Sequence, residues 1–187
     1  IKKETRLMEI RAAAEPDDQM IVEGYAIRFN EPAIFDIGGV EYREIIKPEA
    51  LDGADMQDIV FKYNHSNNIM IMARTRNNTL QFIRDKEGLF VRAELADTTA
   101  GRDLYTLIRR GDIDKMSFAF TVDYENDGDE YDRKTRTRTI KRIKKIYDVS
   151  AVDVPAYDTT SISARSFFEM EREREILRNK LIIKTYL

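Results

Sequence analysis

Residues 116–122 read MSFAFTV, and they alternate without interruption. Met116, Phe118, Phe120 and Val122 fall on one side of an extended chain, and Ser117, Ala119 and Thr121 on the other. Side chains two positions apart share a strand face, so the large apolar set predicts a strand with one side in a core. The opposite side carries only small groups. A serine there has room beside it for a substrate carbonyl, which a nucleophile requires. A strand whose outer face merely carries small residues gives the same pattern, and this stretch alone does not separate the two.

The neighbouring sequence is also β-rich. RLMEIRAA (6–13) and QMIVEGYAIRF (19–29) predict strands separated by a turn at AEPDD (14–18). FDIGGVEYREII (35–46) predicts a hairpin around Gly38-Gly39, and Pro48 suits the first position of a short helix. DIVFKYNH (58–65) places Ile59, Phe61, Tyr63 and His65 on one face at period two. MIMART (70–75), TLQFIRD (79–85) and LFVRAEL (89–95) read as a continuing meander. A helix follows in TTAGRDLYTLIRRGD (98–112), with threonines for its cap, Leu104, Leu107 and Ile108 as its apolar stripe and Gly111 as its stop.

NDGDEYD (126–132) reads as an acidic loop, and residues 136–157 as a long strand or strand pair. Around Ile140, Ile143 and Ile146 the period slips, which predicts a bulge. The last segment, 166–187, reads as a helix opened by a capping box of Ser166 and Glu169, with Met170, Leu177 and Leu181 among its apolar positions. The expected fold is mainly β (α+β), an antiparallel β-barrel decorated with helices. Residues 1–165 form the main domain, and 166–187 a C-terminal helical extension.

Composition narrows the chemistry. The 187 residues include no cysteine, which excludes disulfides, thiolate metal sites and cysteine nucleophiles. A net charge of −3 gives no general electrostatic reason to bind nucleic acid. No apolar run approaches a membrane span, and IKKETRLMEI lacks the apolar core of a signal peptide, so the default expectation is the cytoplasm. One histidine with scattered carboxylates offers no metal-ligand spacing, and no cofactor is expected.

That histidine, His65, is the one imidazole available to activate a serine such as Ser117. Taken alone, a single histidine is more often structural. A third member would be a carboxylate that fixes the ring tautomer, and IYDVSAVDVP (146–155) offers Asp148 and Asp153. Acidic residues are depleted in apolar strands, so one of them is held there for a purpose. Five positions apart, they point to opposite faces of a regular strand. Ser150 shares the face of Asp148. No G-x-S-x-G elbow occurs, which removes the α/β-hydrolase reading, and a Ser117–Lys115 dyad is disfavoured.

Together these pieces resemble the prohead maturation proteases of tailed bacteriophages, themselves distantly similar in fold to herpesvirus assemblins. The resemblance runs over about residues 20–165: EGYAIRFNEP, YNHS, MART, GLFVRAEL, TTAGRDLYTLIRRGDIDKMSFAF and YDVSAVDVPAYDTT, in that order. It implies a herpesvirus-protease-like fold and a serine endopeptidase that trims scaffold segments from the major capsid protein precursor. The setting would be the host bacterial cytoplasm, inside the assembling prohead. By the family pattern His65 is the base, Ser117 the nucleophile and Asp148 the acid, although glutamate is the commoner acid there. Ala119 stands where glycine is frequent. Self-processing and a homodimer are compatible with the family. The alternative is a catalytically inactive capsid- or scaffold-associated β-barrel binding protein.

RKTRTRTIKRIKK (133–145) carries eight basic residues directly after acidic DYENDGDEYD (123–132). A solvated hairpin whose arms neutralise each other is favoured over a nucleic-acid contact, because no aromatic residues interleave the charges.

Overall fold

A computed structural model describes residues 3–13, 19–68, 70–153 and 162–185. In chain order its strands are β1 (Glu4–Glu9), β2 (Arg11–Ala12), β3 (Ile21–Arg28), β4 (Ala33–Asp36), β5 (Glu41–Ile46), β6 (Val60–Tyr63), β7 (Ala73–Arg74), β8 (Leu80–Arg84) and β9 (Gly88–Glu94). The helix α1 (Thr99–Arg110) comes next, then β10 (Lys115–Val122), β11 (Asp129–Asp132), β12 (Thr137–Ile140), β13 (Ile143–Val152) and the helix α2 (Ile162–Thr185). The turn expected at 14–18 lies outside the described residues.

Among the described residues the fold is mainly β with two α-helices, and the sheets do not close into the expected barrel. Among the described residues the strands pair into three open sheets, ordered β1-β10-β13-β6-β7, β11-β12-β5-β4 and β2-β3-β9-β8. Closure would require the edge strands β1 and β7 to pair with each other or with another sheet, and they do not. The sheets are also mixed rather than purely antiparallel, since β13 runs parallel to β6 and β12 parallel to β5. The predicted meander breaks at the same place. A 3₁₀ turn at Thr75–Asn77, closed by Asn78 in the left-handed region (φ 61°), carries the chain from β7 in one sheet to β8 in another.

Elsewhere local chemistry acts as expected. Gly38 and Gly39 both have positive φ at the β4–β5 hairpin, where glycine avoids a Cβ clash. Thr98 caps α1 by accepting the Gly101 N–H at 3.1 Å, and Gly111 ends it with φ 83°. Leu104 and Ile108 enter the main core, while Leu107, expected in the same stripe, is exposed. The acidic stretch is not simply a loop, because Asp129–Asp132 pair with β12 as strand β11. The helix α2 already spans Ile162, so Ser166 lies within it and cannot open it as a cap. Met170, Leu177 and Leu181 are exposed. The packed side of α2 is Ala164 and Phe168, which form a second core with Ile37 and Tyr42.

Between β1 and the β12–β5 pair lies a buried ionic cluster that the sequence did not announce. Arg138, read above as part of a solvated basic hairpin, is 0% exposed. Its guanidinium donates to Glu4 at 2.8 and 3.0 Å, to Glu44 at 3.0 Å, to Asp129 at 2.7 Å and to the Tyr124 hydroxyl at 2.8 Å. Arg6 donates to Glu4 and to both oxygens of Glu44 from the other side. The hairpin's remaining arms do neutralise one another, through Lys141–Asp127 and Lys144–Glu125.

Removing one member of a buried, hydrogen-bonded charge set leaves its partners uncompensated and typically costs about 3–5 kcal/mol. Arg138→Met is therefore expected to lower the unfolding free energy by about that amount in denaturant titration. Arg43→Met, at the exposed Arg43–Glu41 pair, should change it by less than about 1 kcal/mol. Equal effects of the two would show that the buried cluster contributes nothing special.

The same cluster sets an acid limit. Burial pushes the Glu4 carboxyl up, but hydrogen bonds and charge from Arg138 and Arg6 outweigh it and hold the group at about 2, against 4.5 when unfolded. A depressed carboxyl contributes stability that is complete above the unfolded pKa and is lost as pH falls through the folded one. Glu4 thus contributes about 3 kcal/mol near neutrality, lost between about pH 4.5 and 2. Unfolding free energies measured across that window should fall more steeply for the native chain than for Arg138→Met. Parallel profiles would refute the assignment.

Candidate active site

Ser117 lies at the middle of β10, with Leu7 of β1 opposite it on one side and Ser150 of β13 on the other. Directly opposed residues share a sheet face with Cα atoms about 4.5–5.5 Å apart. Ser117 and Ser150 therefore project from the same surface. Asp148, opposite Ala119, is on that surface too. Met116, Phe118 and Phe120 enter the core on the reverse side, as their alternation predicts. The slip in period is also realised. Register shifts leave Tyr147 and Lys144 as extra residues on β13, so Ile143, Ile146 and Val149 all reach the core although their spacing is not two.

His65 arrives from the next strand. β6 runs parallel to β13 and ends at Tyr63, after which Asn64 (φ 51°) and His65 (φ 52°) both adopt the left-handed conformation. Such residues cost roughly 1–2 kcal/mol each outside glycine, although asparagine and histidine are among the types that tolerate the conformation best. The two positions break the alternation. Period two placed His65 beside Phe61 and Tyr63; instead its ring meets Asp148 and Ser150, whose register partners are Val60 and Lys62. The backbone turn re-aims the side chain to the opposite face.

The His65 Nδ1 and Asp148 Oδ1 atoms are in direct contact. The Asp148 carboxyl is pushed up by burial. Hydrogen bonding and charge from His65, the Ser150 hydroxyl and the nearby Lys62 charge prevail, and hold it below the usual carboxylate range. An ionised carboxylate only accepts, so Nδ1 carries a proton, and in the neutral ring the lone pair is on Nε2. Ser150 Oγ donates its one proton to Asp148 at 3.0 Å and accepts the backbone N–H of His65 at 3.2 Å. Its 3.3 Å approach to Nδ1 is then a contact without a proton of its own.

Asp153 turns the other way. It accepts from the Tyr63 hydroxyl at 2.6 Å and from Asn64 Nδ2 at 2.9 Å, and has no hydrogen bond to the ring. Two buried polar atoms on the site surface, Ser117 Oγ and His65 Nε2, have no hydrogen-bond partner among the described residues. The structure therefore joins His65 to Asp148 directly and places Ser117 one strand away on the same face. Sequence reasoning did not foresee the parts played by Tyr63 and Asn64. The adjacent asparagine and histidine, both tolerant of positive φ, were the available signal.

Among the described residues no group of three or more His, Cys, Asp or Glu side chains is placed to hold a metal ion. No helix there is long and apolar enough to cross a membrane.

An imidazole anchored by a buried carboxylate, on a face that also carries a buried serine hydroxyl, has the residue types of a serine hydrolase. The chain matches the family model described as caudovirus prohead serine protease over residues 7–173, and it belongs to that family. It is accordingly a serine protease of prohead maturation. Among solved structures, the bacteriophage T4 capsid assembly protease, gp21, matches at 12% identity with a TM-score of 0.46, over 81% of this chain and 99% of that one. No curated protein matches.

One signature residue gains a local explanation. A Cβ on Gly101 would lie 2.0 Å from the Ala96 carbonyl oxygen, so the first turn of α1 can pack there only with glycine.

Proposed function

We propose that this chain is the endopeptidase that cuts scaffold segments from the capsid precursor inside the assembling prohead, with Ser117 as nucleophile, His65 as base and Asp148 as its orienting carboxylate. Self-processing, a homodimer and kinship with herpesvirus assemblins belong to the same reading. The observation that carries it is the His65–Asp148 contact on the sheet face bearing Ser117, with Nε2 and Oγ both unpaired among the described residues.

In this mechanism Nε2 takes the hydroxyl proton as Oγ bonds to the scissile carbonyl carbon. The imidazolium, stabilised by Asp148, then gives that proton to the departing amine, and the carbon–nitrogen bond breaks to leave an acyl-serine. Water, deprotonated by Nε2, attacks the ester, and Oγ leaves with the proton. β10 is flanked by strands on both sides, so its backbone N–H groups serve the ladders and the donors to the developing oxyanion come from another element.

Ser117 is 0% exposed, so labelling must be tried on free protein and on protein assembled with its capsid precursor. A fluorophosphonate probe should modify Ser117, and His65→Ala should abolish the modification. Labelling at Ser150 instead, or unimpaired precursor cleavage by His65→Ala, would overturn the assignment.

A further inference from the structure

The proposed base sits at the end of two consecutive left-handed residues, and hydrogen bonds from that turn converge on Asp153. Asn64 Nδ2 donates to Asp153 Oδ1 at 2.9 Å, and the Asp153 backbone N–H returns to Asn64 Oδ1 at 3.2 Å. The Tyr63 hydroxyl donates to the second carboxylate oxygen, Oδ2, at 2.6 Å. The Asn64 backbone N–H extends the parallel pairing by donating to the Ala151 carbonyl at 2.9 Å. Each carboxylate oxygen of Asp153 is thus engaged by one of the two residues that precede His65.

We propose that Asp153, Asn64 and Tyr63 form a positioning clamp that holds the turn after β6 and thereby aims the His65 ring at Asp148 and Ser117. The inference rests on the roles proposed for those three residues. The two acids then act differently. Asp148 meets the ring, and Asp153, just past the end of β13, meets the backbone turn that carries the ring.

Geometry favours a positioning role over a general contribution to stability. Asn64 and Asp153 are exposed, where a hydrogen-bonded pair competes with water and adds little to folding. What the pair does fix is a local backbone geometry that an unassisted chain disfavours. The left-handed φ at 64 and 65 moves the imidazole across the sheet, so relaxation toward extended backbone would withdraw it from Asp148. Misplacement of a reacting group by about 1 Å is enough to cost on the order of 100-fold in rate.

The test uses the full chain with its capsid precursor. Asp153→Asn should lower kcat about 10–100-fold with KM nearly unchanged. Its unfolding midpoint should stay close to that of the native chain. His65 is the only histidine in the 187 residues, so its ring Cε1–H resonance is identified without assignment experiments and should move in the variant. The double variant Asn64→Asp with Asp153→Asn exchanges donor and acceptor across the pair and should restore both kcat and the resonance. If Asp153→Asn folds poorly, Tyr63→Phe removes a single hydrogen bond from the same carboxylate and should shift the resonance in the same sense.

Native kcat and an unmoved His65 signal in both single variants would overturn the clamp, while Ser117→Ala and Asp148→Asn still inactive would leave the catalytic assignment standing. Loss of activity on changing Asp153 but not Asp148 would instead overturn that assignment, making Asp153 the acid.

Discussion

Ser117→Ala abolishes processing of the capsid precursor and leaves the fold intact: that is the expected result with the largest effect. When a nucleophile is removed from a group that acts as a unit, kcat falls on the order of 10⁶-fold. The fold should be unaffected, because Ser117 Oγ is buried and has no hydrogen-bond partner among the described residues. Deleting it strands no donor or acceptor. A buried hydroxyl without a partner costs about 1–3 kcal/mol, so alanine should be neutral or mildly stabilising. Single-turnover cleavage and thermal unfolding, measured on one preparation, separate the two effects. Native turnover by the variant would exclude Ser117 from the chemistry. Inactivity together with a large fall in unfolding temperature would mean that the side chain supports the strand rather than the reaction.

Asp148→Asn comes next, at about 10⁴-fold in kcat, as when the carboxylate of a comparable triad is made an amide. The substitution preserves shape, and its effect comes from the amide's donors. With an NH₂ facing Nδ1, the ring takes the tautomer protonated on Nε2, and the lone pair that should receive the serine proton is gone. The loss should persist at every pH, because raising pH does not return that lone pair to Nε2. Asp153→Asn is expected to cost only about 10–100-fold, through displacement of the turn. Rate profiles for the two variants from acid to alkaline pH provide the measurement. An Asp148→Asn enzyme that recovers native rates at high pH would show that the carboxylate's contribution is electrostatic alone.

The strand-and-helix content was legible wherever one physical signal acted alone. MSFAFTV alternates because one side of β10 is core and the other is site surface, and nothing local disturbs that period. The α1 stripe, its threonine cap and its terminal glycine are likewise local devices. The readings that failed depended on distant partners. His65 went to the wrong face because alternation holds only while the backbone stays extended, and Asn64 and His65 leave it. Arg138 read as a solvated charge, and the partners Arg6, Glu4 and Glu44 went unmarked, because a single charge in sequence carries no sign of the counter-charge that permits burial. The open sheets were equally hidden, since the parallel partners of β12 and β13 lie far upstream in the chain. For the two acids, five-residue spacing showed that they diverge but not which one meets the imidazole. That depended on β6 lying alongside β13 in a particular register.

The extra residue at Tyr147 reverses the parity of β13, as the one at Lys144 does nearer its start. Just upstream, even-numbered Ile146 enters the main core; downstream, even-numbered Asp148 and Ser150 lie on the site face. Sequence length is consequently not equally constrained along this strand. A deletion at 147 removes the surplus position and lets both stretches keep their orientation, whereas an insertion or deletion between 148 and 152 would rotate the downstream residues to the wrong side. Indel tolerance in this stretch of the gene should therefore be confined to a few codons around the two bulges.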